Sequence, residues 1–407
     1  MERDLSDAAP EDVGLSPAGL ERVDDALREL IGAGELAGAV TLVARHGRVV
    51  HRAALGAKDL ASGEALATDT IFRIYSMTKP VTGVAMMILY DRGLWRPSDP
   101  IAKFLPSFAD VKVFGGLDGA GEPIPEDPDH APTMSELMTH TAGFSYGFDP
   151  ENPVDKFYLA ADPWRAASLG QFAERVASAP LAYQPGSKWL YSLSMDIQGA
   201  IVEALSGQML PVFMAERIFQ PLGMVDTGFF VPTEKRARLA TLYRKSKSRG
   251  LAPIERAGMI LPDHDGPPAV ASGGGGLVGT ADDYARFAQM LLDGGEFGGV
   301  RIVSVASLAL MMTNHLSPEL LAGGFGVGKQ QMRPGYGYGY DGAVYTDPAL
   351  ADVPVGEGTY QWDGAAGTWF WVDPVNDLLF VGLIQRLDPD SPALQVMTQR
   401  LIAEAIA

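Results

Sequence analysis

One stretch of the chain decides its fold: residues 70–93, which read TIFRIYSMTKPVTGVAMMILYDRG. Ser76 and Lys79 lie three residues apart, almost one helical turn, so their side chains leave the same helix face. The positions after Lys79 are apolar nearly all round, which is typical of a buried helix. Pro80 is tolerated only in a first helical turn, and Gly93 is an expected stop signal. The stretch therefore predicts a buried helix that begins at or near Ser76.

A serine and a lysine placed in this way suit nucleophilic catalysis. The start of a helix favours developing negative charge at Ser76, and Lys79 points into the protein, where an unpaired ammonium tends to lose its proton. Lysine has a reference pKa of about 10, so a base at neutral pH requires a pKa lowered by about 3 units. Ser-x-x-Lys also occurs by chance, with the serine as an N-cap and the lysine in solvent. On its own the pair is ambiguous.

The composition limits the classes of function. The chain has 407 residues, a net charge of −18, 47% hydrophobic residues and no cysteine. Its length predicts two domains, or one domain with an insertion, and we divide it at 1–93, 94–265 and 266–407. The acidic balance argues against nucleic acid and anionic membranes as partners, because their phosphates need a basic surface. Without cysteine there are no disulfides, no thiol catalysis and no cysteine metal sites.

Targeting and metal-binding signals are not evident. Residues 1–7 lack the basic start and apolar core of a secretory signal, and we find no run of about 18 apolar residues. We therefore expect a cytoplasmic protein. The six histidines show no metal-binding spacing such as His-x-His, so we expect no metal and no cofactor. The sequence does not indicate an oligomeric state.

Both ends of the chain predict α/β material, and its middle predicts helices. Strand patterns predict two antiparallel hairpins, 39–44 with 48–53 and 368–372 with 378–384. Ser16 and Pro17 mark the start of a first helix, and Ser391 marks the start of a closing helix. Between 94 and 265, short apolar segments divided by proline and glycine predict a mostly helical inserted domain.

A second serine competes for the role of nucleophile. Residues 143–147 read GFSYG and fit Gly-x-Ser-x-Gly, the nucleophile elbow of α/β-hydrolases, with Ser145 at its centre and His264 or His315 as a later histidine. That elbow needs a buried strand before the serine and a long helix after it. The segment 134–139 looks helical instead, so we expect Ser145 to be a loop residue near the site.

A glycine-rich run at 272–279, SGGGGLVG, invites comparison with a phosphate-binding loop. No Gly-Lys-Ser/Thr follows it, so that interpretation lacks its key residues. We expect the run to cross back between the domains.

An acyl-transfer site built on Ser76 needs further parts. A second polar group must relay the proton, and two N–H donors must bind the oxyanion. Tyr191 offers a phenol in the short segment 189–193, just before a predicted helix at 194–205. Residues 362–368 offer a glycine-containing bend at the edge of a strand.

Four motifs follow one another along the chain: Ser76-Met-Thr-Lys79, His140-Thr-Ala-Gly143, Tyr191-Ser-Leu193 and Trp362-Asp-Gly364. Their order and spacing resemble the serine β-lactamase and penicillin-binding protein superfamily, and within it the family VIII carboxylesterases and related acyltransferases. The resemblance spans about residues 39 to 384. It implies a β-lactamase-like fold of the α/β plus α class, an antiparallel sheet flanked by the N- and C-terminal helices with an inserted, mostly helical domain.

The resemblance also implies roles for individual residues. Ser76 would be the acylated nucleophile, and Lys79 its hydrogen-bonded base or proton relay. Tyr191 would complete the trio as a phenolate or proton shuttle. The backbone N–H groups of Ser76 and Ala365 would form the oxyanion hole.

Two departures from the β-lactamase pattern bear on the substrate. Trp362, which together with Gly364 would border the substrate, stands where such enzymes carry a lysine for a substrate carboxylate, and it supplies no such charge. Leu193 stands where they carry an asparagine. Both changes shift the expected preference toward neutral, apolar esters, with slow β-lactam hydrolysis left open.

Several nearby residues have two interpretations. Phe144, Tyr146 and Phe148 belong to an aromatic loop that would roof an apolar acyl pocket or, equally, pack in the core. Asp363 is either a polar lip of the site or a solvated turn residue, and we favour the turn. We expect His140 to brace the loop after its helix rather than to act as a base.

The sequence thus predicts a serine carboxylesterase that hydrolyses short, uncharged, small-molecule esters through an acyl-enzyme. Transfer of the acyl group to a small alcohol uses the same machinery and remains an alternative. A β-lactamase or D-amino acid peptidase-like hydrolase is another. A non-catalytic ligand-binding descendant of the fold is a fourth, although retention of Ser76, Lys79 and Tyr191 argues against it.

Overall fold

The computed structural model describes residues 3–121, 123–246, 250–254, 264–323, 326–327, 330–331, 334–388 and 391–407. Its helices are α1 Pro17–Gly32, α2 Thr78–Asp91, α3 Met134–Met138, α4 Pro153–Ala161, α5 Leu169–Ala177, α6 Ser194–Ser206, α7 Leu210–Met214, α8 Gln220–Leu222, α9 Ala281–Leu292, α10 Val305–Met311, α11 Pro318–Gly323 and α12 Leu394–Ala405. Its strands are β1 Gly38–Arg45, β2 Arg48–Asp59, β3 Glu64–Ala65, β4 Phe72–Arg73, β5 Val113–Leu117, β6 Pro123–Glu126, β7 Tyr243–Ser246, β8 Gly250–Pro253, β9 Val278–Gly279, β10 Glu296–Phe297, β11 Val300–Arg301, β12 Gly326–Val327, β13 Gln330–Gln331, β14 Tyr336–Tyr338, β15 Ala343–Tyr345, β16 Tyr360–Gly364, β17 Thr368–Asp373 and β18 Leu378–Leu383.

A large antiparallel sheet organises the molecule. In the described residues its strand order is β14-β15-β16-β17-β18-β1-β2-β3, so the last strands of the chain lie beside the first. The predicted hairpins are confirmed, because β1 pairs with β2 and β17 pairs with β18. The β1–β2 hairpin turns through His46 and Gly47, whose φ angles of 53° and 74° suit a two-residue hairpin loop.

One face of the sheet is covered by the two terminal helices. Ser16 accepts a hydrogen bond from the Gly19 N–H and caps α1, as its sequence predicts. Alternate side chains of the central strands meet α1 and α12 in one apolar cluster, whose members include Val23, Leu27, Val43, Trp371, Phe380 and Ile402. The closing helix begins at Leu394, three residues after the predicted start, because Ala393 has a non-helical ψ of 64°.

The other face of the sheet packs on the main core. Side chains of opposite alternation, such as Leu42 and Val381, enter a second cluster together with α2 and α9. Helix α2 is buried along nearly its whole length, as its apolar pattern predicts. It begins at Thr78, which puts Pro80 in the first turn, where its missing N–H costs nothing. The predicted fold class is confirmed: an antiparallel sheet flanked by terminal helices.

The middle of the chain supplies the third part of the architecture. Between α2 and β9 lie helices α3 to α8, together with the two short hairpins β5–β6 and β7–β8. The helix predicted at 194–205 is α6, and Gly207 follows its last residue in the left-handed conformation. The domain boundaries at 93/94 and 265/266 remain a prediction. No helix in the described ranges is both long and apolar enough for a membrane span.

Candidate active site

Ser76 lies in a tight turn immediately before α2. The turn is a short 3-10 segment, Tyr75–Met77, and its first residue has a φ of 40°. A non-glycine residue in this left-handed region costs about 1–3 kcal/mol, which the surroundings must offset. The Tyr75 ring is fully buried against Leu242 and Ala366, and this packing holds the turn. Ser76 itself remains partly exposed, so a substrate can reach its hydroxyl.

Two proton-carrying groups meet the Ser76 hydroxyl. The Tyr191 hydroxyl donates a hydrogen bond of 2.8 Å to Ser76 Oγ. Lys79 Nζ lies 3.2 Å from the same oxygen. The structure therefore brings the three residues that the sequence singled out to within one hydrogen bond of a common atom.

The Lys79 amine is enclosed by protein. Its Nζ lies 2.6 Å from the Gly274 carbonyl oxygen and 3.1 Å from the Tyr146 hydroxyl. Burial lowers the pKa of Lys79 to about 7, although the carboxyl groups of Asp196, Asp341 and Asp363 oppose that decrease. A large fraction of the amine is therefore neutral at pH 7, as a base for Ser76 requires.

The phenol of Tyr191 has the opposite tendency. Burial raises the pKa of Tyr191, and the hydrogen bond to Ser76 only partly opposes this rise. The phenol therefore keeps its proton at neutral pH. This protonation state favours Tyr191 as a proton relay and Lys79 as the base.

His140 braces the segment that carries Tyr191. It is buried, with a φ of 59°, and its ring lies 4.9 Å from the Tyr191 ring between centroids. The Ser192 backbone N–H donates to His140 Nδ1 at 3.2 Å, which assigns the proton of the neutral ring to Nε2. Burial holds the pKa of His140 well below its usual value, so the ring is neutral. Its geometry agrees with the predicted bracing role.

The glycine-rich run contributes a contact that the sequence did not reveal. Asp196 accepts hydrogen bonds from the Ser272 hydroxyl at 2.6 Å and from the Gly274 N–H at 3.0 Å. These bonds hold the backbone of Gly274, whose carbonyl oxygen meets Lys79. A Cβ at position 274 would lie 2.7 Å from the Tyr146 hydroxyl oxygen and 2.8 Å from Asp196 Oδ2, so any larger residue would displace one of these two groups. The run of glycines was the signal in the sequence for this contact, because glycine often marks a place where two chain segments approach closely.

The end of β16 lies against the nucleophile turn. A Cβ on Gly364 would come within 2.3 Å of the Ile74 carbonyl oxygen, and the Thr368 hydroxyl donates to that same oxygen at 3.2 Å. The Trp362 ring is buried 5.9 Å from the Tyr191 ring between centroids. Ala365 is exposed in the turn after β16, and its oxyanion role remains a prediction.

The aromatic loop divides between the site and the core. Phe148 is 55% exposed and stacks on Tyr146 with 4.5 Å between ring centroids. Tyr146, a candidate for the roof of the acyl pocket, meets the Lys79 amine. Phe144 is fully buried, edge-on to Phe108 at 5.5 Å between centroids. Phe144 therefore packs in the core, and we leave it out of the proposed site.

Ser145 does not lie in a nucleophile elbow. Helix α3 precedes it, no strand leads into it, and the next helix begins only at Pro153. Its buried hydroxyl donates to the carboxylate of Asp155, which also accepts the Asp149 N–H at 2.8 Å. His264 and His315, the two histidines of the imagined triad, each place Nε2 near a backbone carbonyl, at 3.1 and 2.8 Å.

The described ranges contain no cluster of three or more histidine, aspartate or glutamate side chains arranged to hold a metal ion.

Comparisons with known proteins identify the family of the chain. The family model named Beta-lactamase matches residues 23–404. Protein Rv1367c of Mycobacterium tuberculosis is 38% identical over 378 residues, which cover 88% of each chain. Esterase EstB of Burkholderia gladioli is 33% identical over 370 residues, covering 86% of this chain and 85% of EstB. The solved structure of EstCE1, described as a hydrolase with promiscuous acyltransferase activity, superposes with a TM-score of 0.78 at 29% identity, over 95% of this chain and 98% of that one.

The matched region includes all four motifs that carry the resemblance. The fold, the order of the motifs and the matching family model agree. The chain therefore belongs to the β-lactamase family, within the superfamily of serine β-lactamases and penicillin-binding proteins.

Proposed function

We propose that this protein is a serine carboxylesterase of the family VIII type, which hydrolyses short, uncharged esters through an acyl-enzyme on Ser76. One observation carries the proposal: Ser76 Oγ lies 2.8 Å from the Tyr191 hydroxyl and 3.2 Å from Lys79 Nζ. Similarity to Esterase EstB and to the hydrolase EstCE1 supports a serine ester hydrolase or acyltransferase that acts on small molecules.

Acylation begins at the partly exposed serine. Ser76 Oγ attacks the ester carbonyl carbon while its proton passes to the neutral Lys79 amine. The resulting oxyanion is bound by the backbone N–H groups of Ser76 and Ala365. As the tetrahedral intermediate collapses, Tyr191 gives its phenolic proton to the departing alkoxide and regains one from the Lys79 ammonium. The products are a free alcohol and an acyl group esterified to Ser76, with Lys79 neutral again.

Deacylation repeats these steps with a new nucleophile. Water gives the carboxylic acid and free enzyme, whereas an alcohol gives a new ester. Acyl transfer to a small alcohol is therefore the second candidate function, and the described activities of EstCE1 favour keeping it. The same three residues serve both outcomes.

The surroundings of Ser76 support an uncharged, apolar substrate. Trp362 and Leu193 are both buried, and neither offers the positive charge or the amide found at these positions in β-lactamases. The exposed ring of Phe148 adds apolar surface beside Tyr146. A neutral acyl chain buries its hydrocarbon surface against such rings at no cost in lost ion pairing.

The test compares a chromogenic butyrate ester with a chromogenic cephalosporin on the same preparation. Turnover of the ester alone supports the proposal, and turnover of the cephalosporin alone overturns it. Turnover of neither indicates a binding protein. Mass spectrometry of the ester-treated protein with peptide mapping then locates the acyl group, which we expect on the peptide that contains Ser76. Addition of a small alcohol separates hydrolysis from transfer through the appearance of the new ester.

A further inference from the structure

Tyr146 is a second phenol at the Lys79 amine, and the acylation steps described above do not use it. Its side chain is buried, and its hydroxyl oxygen lies 3.1 Å from Lys79 Nζ. Its ring stacks on that of Phe148 with 4.5 Å between centroids and lies 5.2 Å from the Tyr191 ring. These ring contacts restrict the hydroxyl to a position beside the amine.

The hydrogen-bond geometry around Lys79 gives this contact a use. Three oxygens surround Nζ: the Gly274 carbonyl at 2.6 Å, the Tyr146 hydroxyl at 3.1 Å and Ser76 Oγ at 3.2 Å. A neutral amine has two N–H groups and one lone pair, and the lone pair must face Ser76 when the amine takes its proton. The two N–H groups are then directed at the Gly274 carbonyl, which only accepts hydrogen bonds, and at Tyr146.

In this arrangement the Tyr146 oxygen accepts an N–H, so its own proton needs another acceptor. Oδ1 of Asp196 already binds the Ser272 hydroxyl and the Gly274 N–H, whereas the buried Oδ2 has no hydrogen-bond partner among the described residues. Asp196 Oδ2 and the Tyr146 hydroxyl oxygen lie 2.8 and 2.7 Å from one point, the position that a Cβ on Gly274 would take. Burial and the neighbouring Asp196 raise the pKa of Tyr146, so the phenol keeps its proton.

We propose that Tyr146 is a positioning residue that keeps the lone pair of the Lys79 amine directed at Ser76. It accepts one N–H of the neutral amine and donates its own proton to Asp196 Oδ2. The proposal rests on the esterase function proposed above. The role differs from that of Tyr191, whose hydroxyl contacts Ser76 Oγ directly and carries a proton during the reaction.

The first test is the pH profile of kcat/KM for the butyrate ester in Tyr146→Phe. Without its second acceptor the neutral amine can turn its lone pair away from Ser76, so the plateau at alkaline pH should fall about three- to tenfold, through kcat rather than KM. The ammonium form loses a charge-assisted hydrogen bond, which is stronger than that of the neutral amine, so the pKa of Lys79 falls and the midpoint moves to lower pH. Loss of folded protein lowers the plateau but leaves the midpoint in place.

The other titratable groups that contact the amine or act on its charge are unchanged in this variant: Asp196, Asp341, Asp363, His140 and Tyr191. Tyr158→Phe is the matched control. Tyr158 is buried in α4 beneath the same loop, and its Cβ lies 3.3 Å from the position that a Cβ on Gly147 would take. The described contacts of the Lys79 amine do not include its hydroxyl.

We expect the Tyr158→Phe profile to keep the wild-type midpoint and a plateau within about twofold of wild type. If Tyr158→Phe and Tyr146→Phe have the same profile, the effect belongs to the loss of any buried hydroxyl, and the positioning role is overturned.

The second test asks whether Asp196 acts through Tyr146. Asp196→Asn retains Oδ1, and with it the acceptor for Ser272 and Gly274, but replaces Oδ2 by an NH₂ group that cannot accept the phenolic proton. We expect the plateau loss caused by Asp196→Asn to be at least about threefold smaller in Tyr146→Phe than in wild type, because the link is already broken there. Equal losses in the two backgrounds would overturn the link to Asp196.

Failure of this inference is distinguishable from failure of the proposed function. A wild-type pH profile in Tyr146→Phe would overturn the positioning role and leave the esterase activity established. Absence of butyrate ester turnover in wild type would instead overturn the proposed function, and the positioning role with it.

Discussion

Two serines of this chain lie in sequence patterns typical of nucleophiles, and their surroundings differ in kind. Ser76 is partly exposed, and its hydroxyl meets an amine and a phenol. Ser145 is buried, and its hydroxyl donates to the carboxylate of Asp155. Lys79, beside the first serine, has a pKa of about 7, which suits removal of a proton at neutral pH. The comparison teaches that access and a matched base distinguish a nucleophile, whereas the local pattern does not.

The second serine has a different use. Asp155 binds both the Ser145 hydroxyl and the Asp149 N–H, so it ties together the two ends of a short aromatic loop. That loop carries Tyr146, which contacts Lys79, and Phe148, which is exposed beside it. We infer that Ser145 stabilises a wall of the site on which Ser76 reacts.

Replacement of the nucleophile tests the comparison most severely. We expect Ser76→Ala to lower kcat/KM for the butyrate ester by about 10⁴-fold or more, because no other group forms the acyl-enzyme. Ser145→Ala should retain most of the activity. Steady-state assays of both variants, with active-site titration, measure the effect. The reverse pattern would move the nucleophile to Ser145.

Removal of the Tyr191 hydroxyl should have the next largest effect. We expect Tyr191→Phe to slow acylation by about 10²- to 10³-fold with little change in KM, because proton transfer matters in the transition state. Tyr146→Phe is the matched control, since that hydroxyl meets Lys79 rather than Ser76, and we expect a loss of about tenfold or less. Pre-steady-state bursts measure both. A normal burst in Tyr191→Phe would exclude the relay role.

The pH dependence of kcat/KM tests whether Lys79 is the base for Ser76. The neutral form of Lys79 accepts the proton, so kcat/KM should rise about tenfold per pH unit in the acidic range and level off above its pKa. The expected midpoint is a pH of about 7. Asp196→Asn removes a carboxylate that favours the ammonium, so the midpoint should move to lower pH. A midpoint that Asp196→Asn leaves in place would argue against Lys79 as the titrating group.

The smallest expected effect concerns stability. Ser145→Ala removes a hydrogen-bond donor from buried Asp155 and should lower the free energy of unfolding by about 1–2 kcal/mol. Ser76→Ala, at a partly exposed hydroxyl, should change it by less than about 0.5 kcal/mol. Denaturant titration of the two variants measures both. Equal destabilisation would contradict the division of roles between the two serines.

The sequence predicted what local spacing determines. Helix α2, its early proline and the Ser76–Lys79 pair all lie within one short segment, so a single amphipathic or apolar pattern encodes them. The hairpins β1–β2 and β17–β18 could be predicted equally well, because the strand patterns and the turn residues between them are local features of the sequence. Tyr191 was one candidate phenol, and only the resemblance to a family gave it a role beside Ser76, since nothing in its own neighbourhood points to a serine 115 residues away.

The features that sequence reasoning missed depend on distant contacts. The positive φ of Tyr75 accompanies its packing against Leu242 and Ala366. The residues next to Tyr75 in the sequence do not indicate this packing. The Lys79 amine meets the carbonyl oxygen of Gly274, 195 positions later in the chain. The glycine run indicated a close approach by another segment but did not identify Lys79 as its partner. Phe144 and Phe148 look alike in sequence, yet one packs in the core and the other faces solvent.

The backbone contact between Gly364 and Ile74 has a practical consequence for engineering. Any side chain at position 364 would collide with the carbonyl just ahead of the serine, so that flank of the cleft tolerates little redesign. The aromatic loop differs, because the ring of Phe148 is exposed and stacks on that of Tyr146. Libraries that aim to admit bulkier acyl chains should therefore vary Phe148 and its loop, and keep the flank of Gly364 constant.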